Sequence, residues 1–292
     1  MLGIIGGSGL YQFDGLRDAR WEPVSSPFGE PSDQVLLGEF QGHPLAFLPR
    51  HGRGHRVPPH QINYRANIDI LKRIGVTEVI SLSAVGSLRE DLPPGTFVLV
   101  DQFIDRTRQR PATFFERGVV AHVGLAHPVC RRVAGTLAEA AADLGAEVRR
   151  GGTYLVIDGP QFSTLAESRL YRQWGCDVIG MTNQPEAKLA REAELCYATV
   201  AMVTDYDCWH PGHADVTVPE ILAVMASNAD NARTLIQLAV PLLARQGRPC
   251  PDGCDRALDT AIVTHPDARD PEAVRRLEAV AGRVLGRAIT EV

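Results

Sequence analysis

A nearly apolar run of nine residues, from Leu195 to Val203, is the feature that most restricts the fold of this chain. A run of this length with polar residues on both sides is typical of a buried strand. Asp205 and Asp207 follow it at once, and carboxylates at the end of such a strand lie where open α/β sheets form binding sites. If the extended geometry continues, both side chains point to the same side. The pair could bind the donor groups of a heterocycle or supply a proton, and a pair of turn-capping aspartates is the alternative that the spacing leaves open.

The composition is that of an ordinary globular protein. Of the 292 residues, 45% are hydrophobic and 22% are charged, which is enough apolar material for a substantial core. The formal charge of −5 gives no basic surface for nucleic acid, so an anionic substrate would have to be held by a local cluster. The N-terminus does not have the pattern of a signal peptide, and no run of about 18 apolar residues is present. We therefore expect a cytoplasmic protein without membrane or nucleic-acid partners.

Strand-like and helix-like segments alternate along the chain. Buried strands are predicted at 79–84, 97–100 and 154–157, and a hairpin joins 35–37 to 45–48. Helices are predicted at 62–74, 129–144, 165–174 and 185–195, followed by a long amphipathic helix from 218 to 242 and a short helix at 272–285. This alternation indicates an α/β fold with a parallel or mixed sheet. The absence of an internal boundary predicts one domain over residues 1–292, with 246–292 as a C-terminal tail.

The six cysteines are expected to be free thiols, because no export signal precedes them. Cys250 and Cys254 are the exception to consider, since a loop of Pro, Asp and Gly separates them. Their spacing allows a local disulfide or redox pair, although two reduced thiols are the simpler interpretation. Two cysteines alone are too few for a structural zinc site.

Several predicted strands end in residues suited to an oxyanion. The glycine loop from Gly6 to Gly9 offers backbone N–H groups and the Ser8 hydroxyl. The loop from Arg50 to Arg56 combines three arginines with two histidines among glycines, and the arginine fork matches phosphate oxygens. A metal site built from the histidines of this region is disfavoured, because the arginines would repel the ion. The residues of this oxyanion group are Ser8, Arg50, His51, Ser83 and Thr182.

A second group suits a planar base. Phe162 follows Gly159 and Pro160 at the end of a predicted strand, where an aromatic ring could stack on a base. Asp205 and Asp207 would then bind the polar edge of that base, and Met181 provides a soft apolar surface. Each motif also has a plain structural interpretation as a turn or core residue, so the function rests on their combination.

Taken together, these motifs resemble the methylthioadenosine phosphorylases of the trimeric purine nucleoside phosphorylase superfamily. The resemblance runs from about residue 3 to about residue 245. The motifs that carry it are Gly3-Ile-Ile-Gly-Gly-Ser-Gly-Leu10, Arg50-His-Gly-Arg53, Ser83-Ala-Val-Gly-Ser-Leu-Arg89, Asp101-Gln-Phe-Ile-Asp-Arg-Thr107, Gly159-Pro-Gln-Phe-Ser163, Trp174-Gly-Cys-Asp-Val-Ile-Gly-Met-Thr182 and Thr204-Asp-Tyr-Asp-Cys-Trp209. Gln161 departs from the pattern, since many relatives have arginine there, and Ser8 replaces a common threonine.

The resemblance implies a single domain with a mixed, partly barrel-like sheet flanked by helices, and a homotrimer or a dimer of trimers. It implies phosphate as a co-substrate and no metal or organic cofactor. The implied phosphate contacts are Ser8, Arg50, His51, Ser83, Thr182 and the main chain of Ala84. The implied nucleoside contacts are Met181 at the ribose, Phe162 stacked on the base, Asp205 and Asp207 facing the base, Val218, Ile221 and Leu222 around the 5′ substituent, and His122 reaching a neighbouring subunit's site.

The implied reaction is phosphorolysis of a purine N-glycosidic bond, in which phosphate attacks C1′ directly with one inversion. Asp205 would stabilise the departing purine as an acid, which requires a pKa raised above its ordinary value near 3.9. An acceptor carboxylate at Asp205 favours a 6-aminopurine, and Ser163 stands where relatives that prefer 6-oxopurines have glutamate. The implied substrate is therefore S-methyl-5′-thioadenosine.

Four other functions are alternatives to this one. The nearest is phosphorolysis of S-methyl-5′-thioinosine or of purine nucleosides more broadly. A nucleoside hydrolase uses water in place of phosphate, so it would not account for the residues suited to binding phosphate. A dinucleotide oxidoreductase would need a different glycine spacing and a ribose-binding acid. A non-catalytic nucleoside sensor would bind without turnover.

Overall fold

The computed structural model describes residues 1–7, 10, 13–211 and 218–286, and the side chains of 218–221 and 223 lie outside that description. Within the described residues, the strands join in one mixed sheet. They are β1 (Leu2–Gly6), β2 (Arg17–Glu22), β3 (Val35–Phe40), β4 (His43–Pro49), β5 (Glu78–Ser87), β6 (Phe97–Val100), β7 (Gln102–Asp105), β8 (Val148–Arg150), β9 (Thr153–Val156), β10 (Val178–Gly180) and β11 (Cys196–Asp205).

Helices cover both faces of this sheet. They are α1 (Tyr64–Arg73), α2 (Arg131–Ala140), α3 (Leu165–Gln173), α4 (Asn183–Glu192), α5 (Val218–Ala244), α6 (Pro271–Arg276) and α7 (Glu278–Leu285). Local sequence explains several boundaries: the Asn63 side chain caps α1, and Thr164 and Glu167 form a reciprocal capping box at α3. None of the helices in the described part of the chain is long and apolar enough to cross a membrane.

The ten-residue strand β5 organises the sheet. Its first half lies between β1 and β11 and is parallel to both, and its end pairs antiparallel with β10. On the far side of β1, the order continues through β4, β3 and β2. Because β5 and β11 are buried along almost their whole length, they form the centre of the molecule.

Part of the sheet curls into a barrel. From β5 the pairing runs in one direction through β10, β9 and β7, and in the other through β11 and β6. Since Asp101 alone separates β6 from β7, one continuous segment joins the two ends of this path. A compact apolar cluster with members from β5, β6, β9, β10 and β11 fills the interior, namely Val85, Leu92, Val98, Val100, Tyr154, Val156, Val178, Ala201 and Val203.

The predicted α/β fold is confirmed, with differences at element ends. The predicted helix 129–144 is α2 plus a 3-10 turn, and the predicted last helix is divided into α6 and α7 at Leu277. The predicted hairpin turns at Gln41 and Gly42, which both have positive φ angles of 51° and 82°, as a tight two-residue turn requires. The short strands β7 and β8 were not predicted, because each has too few apolar residues to reveal its pattern.

Candidate active site

The stretch of β5 from Leu82 to Gly86 contacts both the Arg50 group and the aspartate pair of the candidate site. The first group is the set of residues suited to an oxyanion, and the loop after β4 positions its arginine, Arg50. The backbone N–H of Arg50 donates to the Gly6 carbonyl at 2.9 Å, which places Arg50 at the carboxyl end of β1. The parallel strands β4, β1, β5 and β11 all end in this direction, as in α/β proteins that bind ligands at strand ends.

Arg50 is almost fully buried and is held by a network of acceptors. Its Nε and Nη2 donate to the two carboxylate oxygens of Glu186 at 2.9 and 3.1 Å. Its Nη1 donates to the Leu82 carbonyl at 2.9 Å, and its Nη2 also donates to the Ser81 hydroxyl at 2.5 Å. These bonds use four of the five guanidinium N–H groups. One Nη1–H therefore remains for an anion as far as the described residues are concerned.

Two hydroxyl groups lie beside this guanidinium. The Ser83 and Thr182 side-chain oxygens share a hydrogen bond at 2.8 Å, and Ser83 shares another with the Tyr154 hydroxyl at 3.0 Å. Ser83 follows Leu82, the residue whose carbonyl binds Arg50. Ala84 comes next on β5, with its backbone beside β11. The structure thus brings Arg50, Ser83, Ala84 and Thr182 together from three separate parts of the chain.

His51 has a defined tautomer. Its Nδ1 lies 2.9 Å from the Val57 carbonyl, so Nδ1 carries the hydrogen and donates it. Burial, with the nearby Arg50 charge, lowers the pKa of His51 to about 4 despite that bond. The ring is therefore neutral near pH 7, and its Nε2 can only accept a hydrogen bond. A phosphate contact from Nε2 would use a protonated phosphate oxygen.

Asp205 and Asp207 lie over Gly86. A Cβ atom at Gly86 would be 2.9 Å from Asp205 Oδ1 and 3.4 Å from the Asp207 Cβ, so a larger residue would displace the Asp205 carboxyl group. The pairing of β11 with β5 shifts by a bulge between Val203 and Asp205. The strand geometry does not continue to Asp207, whose φ is 51°. The backbone N–H of Asp207 donates to Asp205 Oδ1 at 2.8 Å, so the turn interpretation of the pair is also correct.

The two carboxyl groups differ in how they are satisfied. Asp205 accepts from the Thr204 hydroxyl at 2.7 Å and from the Asp207 N–H. Burial raises the pKa of Asp205 although these bonds oppose the shift. Burial raises the pKa of Asp207 further, to about 6, with a contribution from the Asp205 charge. Asp207 Oδ2 is buried and has no hydrogen-bond partner among the described residues. The pair can therefore hold a proton close to neutral pH and offer it to a ligand.

The loop after β9 lies beside these aspartates. The Cys208 thiol contacts the Ser163 carbonyl at 3.3 Å, which ties the loop to the turn that begins at Asp207. Gly159 lies so close to Met181 that an added Cβ would be 2.3 Å from its sulfur. Phe162, at the tip of the loop, is 52% exposed. An exposed ring on this loop can stack on a ligand.

The structure describes the remaining predicted site residues only in part. Ser8 lies outside the described residues, as do the side chains of Val218 and Ile221, although both belong to α5. Leu222 is 57% exposed on the same helix. His122 is exposed, and its backbone N–H donates to the Ala261 carbonyl at 2.9 Å. Among the described residues, the structure shows no contact between His122 and the other candidate site residues of its own chain, and its role stays a prediction.

Three polar residues that support the site were missed by the sequence analysis. Glu186 fixes Arg50, and Arg110 donates to the carbonyls of Met181 and Asp158 at 2.8 Å each, which joins the loops after β10 and β9. Asn228 donates to the Val203 carbonyl at 3.0 Å and ties α5 to the end of β11. No local pattern marks these residues, because each acts on a segment distant in sequence.

Comparison with known proteins agrees with this arrangement. The profile of the phosphorylase superfamily matches residues 1–241. S-methyl-5′-thioadenosine phosphorylase of Rhodospirillum rubrum is 62% identical over 286 residues, which cover 98% of this chain and 97% of the relative. The protein of the same name from Cereibacter sphaeroides is 60% identical, with 98% of each chain covered.

Solved structures give the same result. A methylthioadenosine phosphorylase from an antarctic soil metagenomic library superposes with a TM-score of 0.90 at 49% identity and covers 96% of this chain and 98% of its own. Methylthioadenosine phosphorylase from Schistosoma mansoni, solved in complex with adenine, has a TM-score of 0.82 at 36% identity, covering 92% and 98%. The chain therefore belongs to the phosphorylase superfamily, and the relatives that it matches over nearly its whole length carry the name methylthioadenosine phosphorylase.

Proposed function

We propose that this protein cleaves the N-glycosidic bond of S-methyl-5′-thioadenosine with inorganic phosphate, giving adenine and 5-methylthioribose 1-phosphate. One observation carries the proposal. The anion-type group meets β5 at Leu82 and Ser83, and the two aspartates meet the same strand at Gly86. Three residues of extended strand span about 10 Å, comparable with the separation of a phosphate and a purine that flank one ribose. The relatives' names agree with this substrate.

In this proposal, phosphate is bound by Arg50, His51, Ser83, Thr182, Ser8 and the main chain of Ala84. The guanidinium supplies fixed positive charge, and its bonds to Glu186 and Leu82 hold it in position before the anion arrives. Preorganised donors stabilise an anion without reorganisation during the reaction. Placing the phosphate under the ribose also supplies the entropic part of the acceleration.

The purine leaves as its bond to C1′ breaks, and negative charge develops on its ring. A proton held by the Asp205–Asp207 pair, donated toward N7, would neutralise that charge. Asp205 is the proposed catalytic acid. The raised pKa values of Asp205 and Asp207 support a shared proton, because two buried carboxylates so close together do not both ionise readily. Phosphate is the nucleophile, so no metal or organic cofactor is needed for this step.

Specificity follows from the same groups. A carboxylate oxygen accepts a bond from the exocyclic amine of adenine and would repel the oxygen of hypoxanthine. Ser163 Oγ and Asp207 Oδ2 are both buried and without partners among the described residues, and a bound purine would satisfy groups that are costly to leave unpaired. Phe162 would stack on the base, and Met181 would contact the ribose. Val218, Ile221 and Leu222 would form an apolar surface for the methylthio group.

The proposal extends to assembly and location. A homotrimer, or a dimer of trimers, would bring His122 of one chain to a neighbour's site. The protein would act in the cytoplasm in the salvage of purines and methionine, with no nucleic-acid or membrane partner. Sedimentation equilibrium of the purified protein tests the assembly, with a mass of three or six chains expected and a monomer as the contradicting result.

The deciding experiment is incubation of the purified protein with S-methyl-5′-thioadenosine in matched reactions with and without phosphate. We expect adenine and the sugar 1-phosphate in equal amounts, and both should need phosphate. Release of adenine without phosphate would identify a hydrolase and contradict the proposal. Binding without turnover would identify a sensor. A parallel assay with S-methyl-5′-thioinosine tests the nearest alternative, which predicts faster release of hypoxanthine than of adenine.

A further inference from the structure

A cluster of four cysteines lies away from the candidate active site. Cys130, Cys196, Cys250 and Cys254 are all buried, and their four sulfur atoms all lie within 4.8 Å of one another. The sulfurs of Cys130 and Cys250 are 3.7 Å apart. All four are unpaired thiols. No step of the proposed phosphorolysis uses them.

The spacing of these atoms is close to that of a metal site. Zinc binds thiolates at about 2.3 Å in a tetrahedron, whose sulfur–sulfur edges are then about 3.8 Å. The longest separation in the cluster exceeds that edge by at most about 1 Å, which rotation of a side chain closes. A disulfide would need sulfurs at about 2 Å, far shorter than the Cys130–Cys250 separation.

The loop that carries two of the thiols is built as a chelating turn. Cys250 and Cys254 are separated by three residues, within the ligand spacing of structural zinc sites. Gly253 has a φ of 67°, and its N–H donates to the Cys250 carbonyl at 2.9 Å. This turn brings the two sulfurs to the same side. The fold adds Cys130 at the N-terminus of α2 and Cys196 at the start of β11. Four cysteines therefore lie together, whereas the sequence alone indicated only the two of the C-terminal loop.

Two arginines lie beside the cluster. Arg132 is 9% exposed, its guanidinium contacts the thiols of Cys196 and Cys250, and its Nε has no hydrogen-bond partner among the described residues. Arg191, also nearly buried, acts on Cys254. The Arg132 guanidinium already pairs with Glu78 and donates to Gln246. Its Nε is the one group that lacks an acceptor among the described residues, and a metal-bound thiolate would supply one. The Asp252 carboxylate, 3.7 Å from the Cys130 sulfur, acts in the opposite sense.

We propose that Cys130, Cys196, Cys250 and Cys254 bind one thiophilic divalent metal ion, Zn²⁺, in a tetrahedral tetrathiolate site. Binding releases the four thiol protons to solvent, and the ion keeps its charge throughout. The role is structural. Asp205 lies nine positions after Cys196 on β11, about 30 Å along an extended strand. The ion would fasten the C-terminal segment to the core where Leu258 and Arg283 also bind Glu194.

The test is metal analysis of the purified protein after expression in zinc-supplemented medium. The wild type should contain about one zinc per chain, and Cys250→Ser should lose it. Cys176→Ser is the matched control, because Cys176 is equally buried but lies in a different apolar cluster, and it should keep its zinc. A chelator should lower the Tm of the wild type and of Cys176→Ser, with no effect on Cys250→Ser.

A second measurement does not depend on a variant that folds. The reduced wild type, stripped of metal and titrated with Co²⁺, should develop thiolate-to-cobalt charge-transfer bands and the visible bands of a tetrahedral site at one equivalent. Zinc should then bleach them. Absence of metal and of these bands, or a disulfide among the four cysteines in a non-reduced digest, would overturn the proposal. Neither result bears on phosphorolysis, which is assayed separately.

Discussion

Arg50 and Glu186 form a buried, two-point ion pair across 136 positions of sequence, with each side chain 2% exposed. Arg50 is one of the residues proposed to bind phosphate, and its Nη1 donates to the carbonyl of Leu82, next to Ser83. Burial alone would lower the pKa of Arg50, and the Glu186 carboxylate raises it above the ordinary value. The arginine is therefore a fixed cation whose position is set before any ligand binds.

This relationship predicts a large effect of removing Glu186. We expect Glu186→Ala to lower the free energy of unfolding by about 3–5 kcal/mol, because it leaves a buried charge uncompensated. Denaturant unfolding measures the change. The matched control is Asp91→Ala, which breaks the exposed pairs with Arg89 and Arg149 and should cost less than about 1 kcal/mol. Equal losses in the two variants would show that the buried pair is not a stability determinant.

Asp205→Asn should change which base is preferred. An asparagine amide can donate to the oxygen of hypoxanthine, whereas the wild-type carboxylate accepts from the amine of adenine. We expect the ratio of kcat/KM for S-methyl-5′-thioadenosine to that for S-methyl-5′-thioinosine to fall at least tenfold, equivalent to about 1.4 kcal/mol. Steady-state kinetics with both nucleosides measure it. The exposed Asp143→Asn should leave the ratio unchanged, and an unchanged ratio in Asp205→Asn would argue against the assignment.

The raised pKa of Asp207 predicts a pH-dependent stability. Burial makes the folded state bind the proton more tightly than the unfolded state, with a folded pKa of about 6 against 3.8. Below about pH 4 the carboxyl group is protonated in both states and costs no stability. Stability is lost as the pH rises from there through 6. Relative to wild type, Asp207→Asn should gain about 2–3 kcal/mol of stability between pH 4 and pH 7.

Unfolding curves of wild type and Asp207→Asn at several pH values measure this difference. Asp143→Asn serves as the control, since its exposed side chain should give a difference that does not vary with pH. A flat difference for Asp207→Asn as well would mean that the carboxyl titrates normally in the folded protein.

The 5′ pocket is tested at Leu222. Replacing it with serine should reduce the preference for the methylthio nucleoside over adenosine by at least about fivefold, because an apolar pocket discriminates by about 1–3 kcal/mol per group. The ratio of kcat/KM for the two substrates gives the result. Leu170→Ser, at an exposed leucine of α3, is the matched control. If both variants keep the wild-type ratio, Leu222 does not line the pocket.

Much of the fold could be predicted because its signals are local. The apolar run before Asp205 became β11, and the apolar spacing at 218–242 became α5. Polar residues after strands marked Arg50, Ser83, Thr182 and Asp205 as candidates. The turn at Asp207 was harder to predict, because a bulge and a positive φ replace the strand there. The short strands β7 and β8 depend on neighbours for their hydrogen bonds rather than on their own pattern.

The sequence by itself determined the alternation of elements, the residue types at strand ends and the resemblance to a family, since these depend on neighbouring residues and on motifs. The tertiary structure alone decided which distant residues meet. It paired Glu186 with Arg50, brought Asp205 and Asp207 over Gly86, and collected four cysteines from three segments. The physical reason is that the packing of strands and helices determines which buried polar groups meet. The spacing of residues along the chain does not encode those contacts.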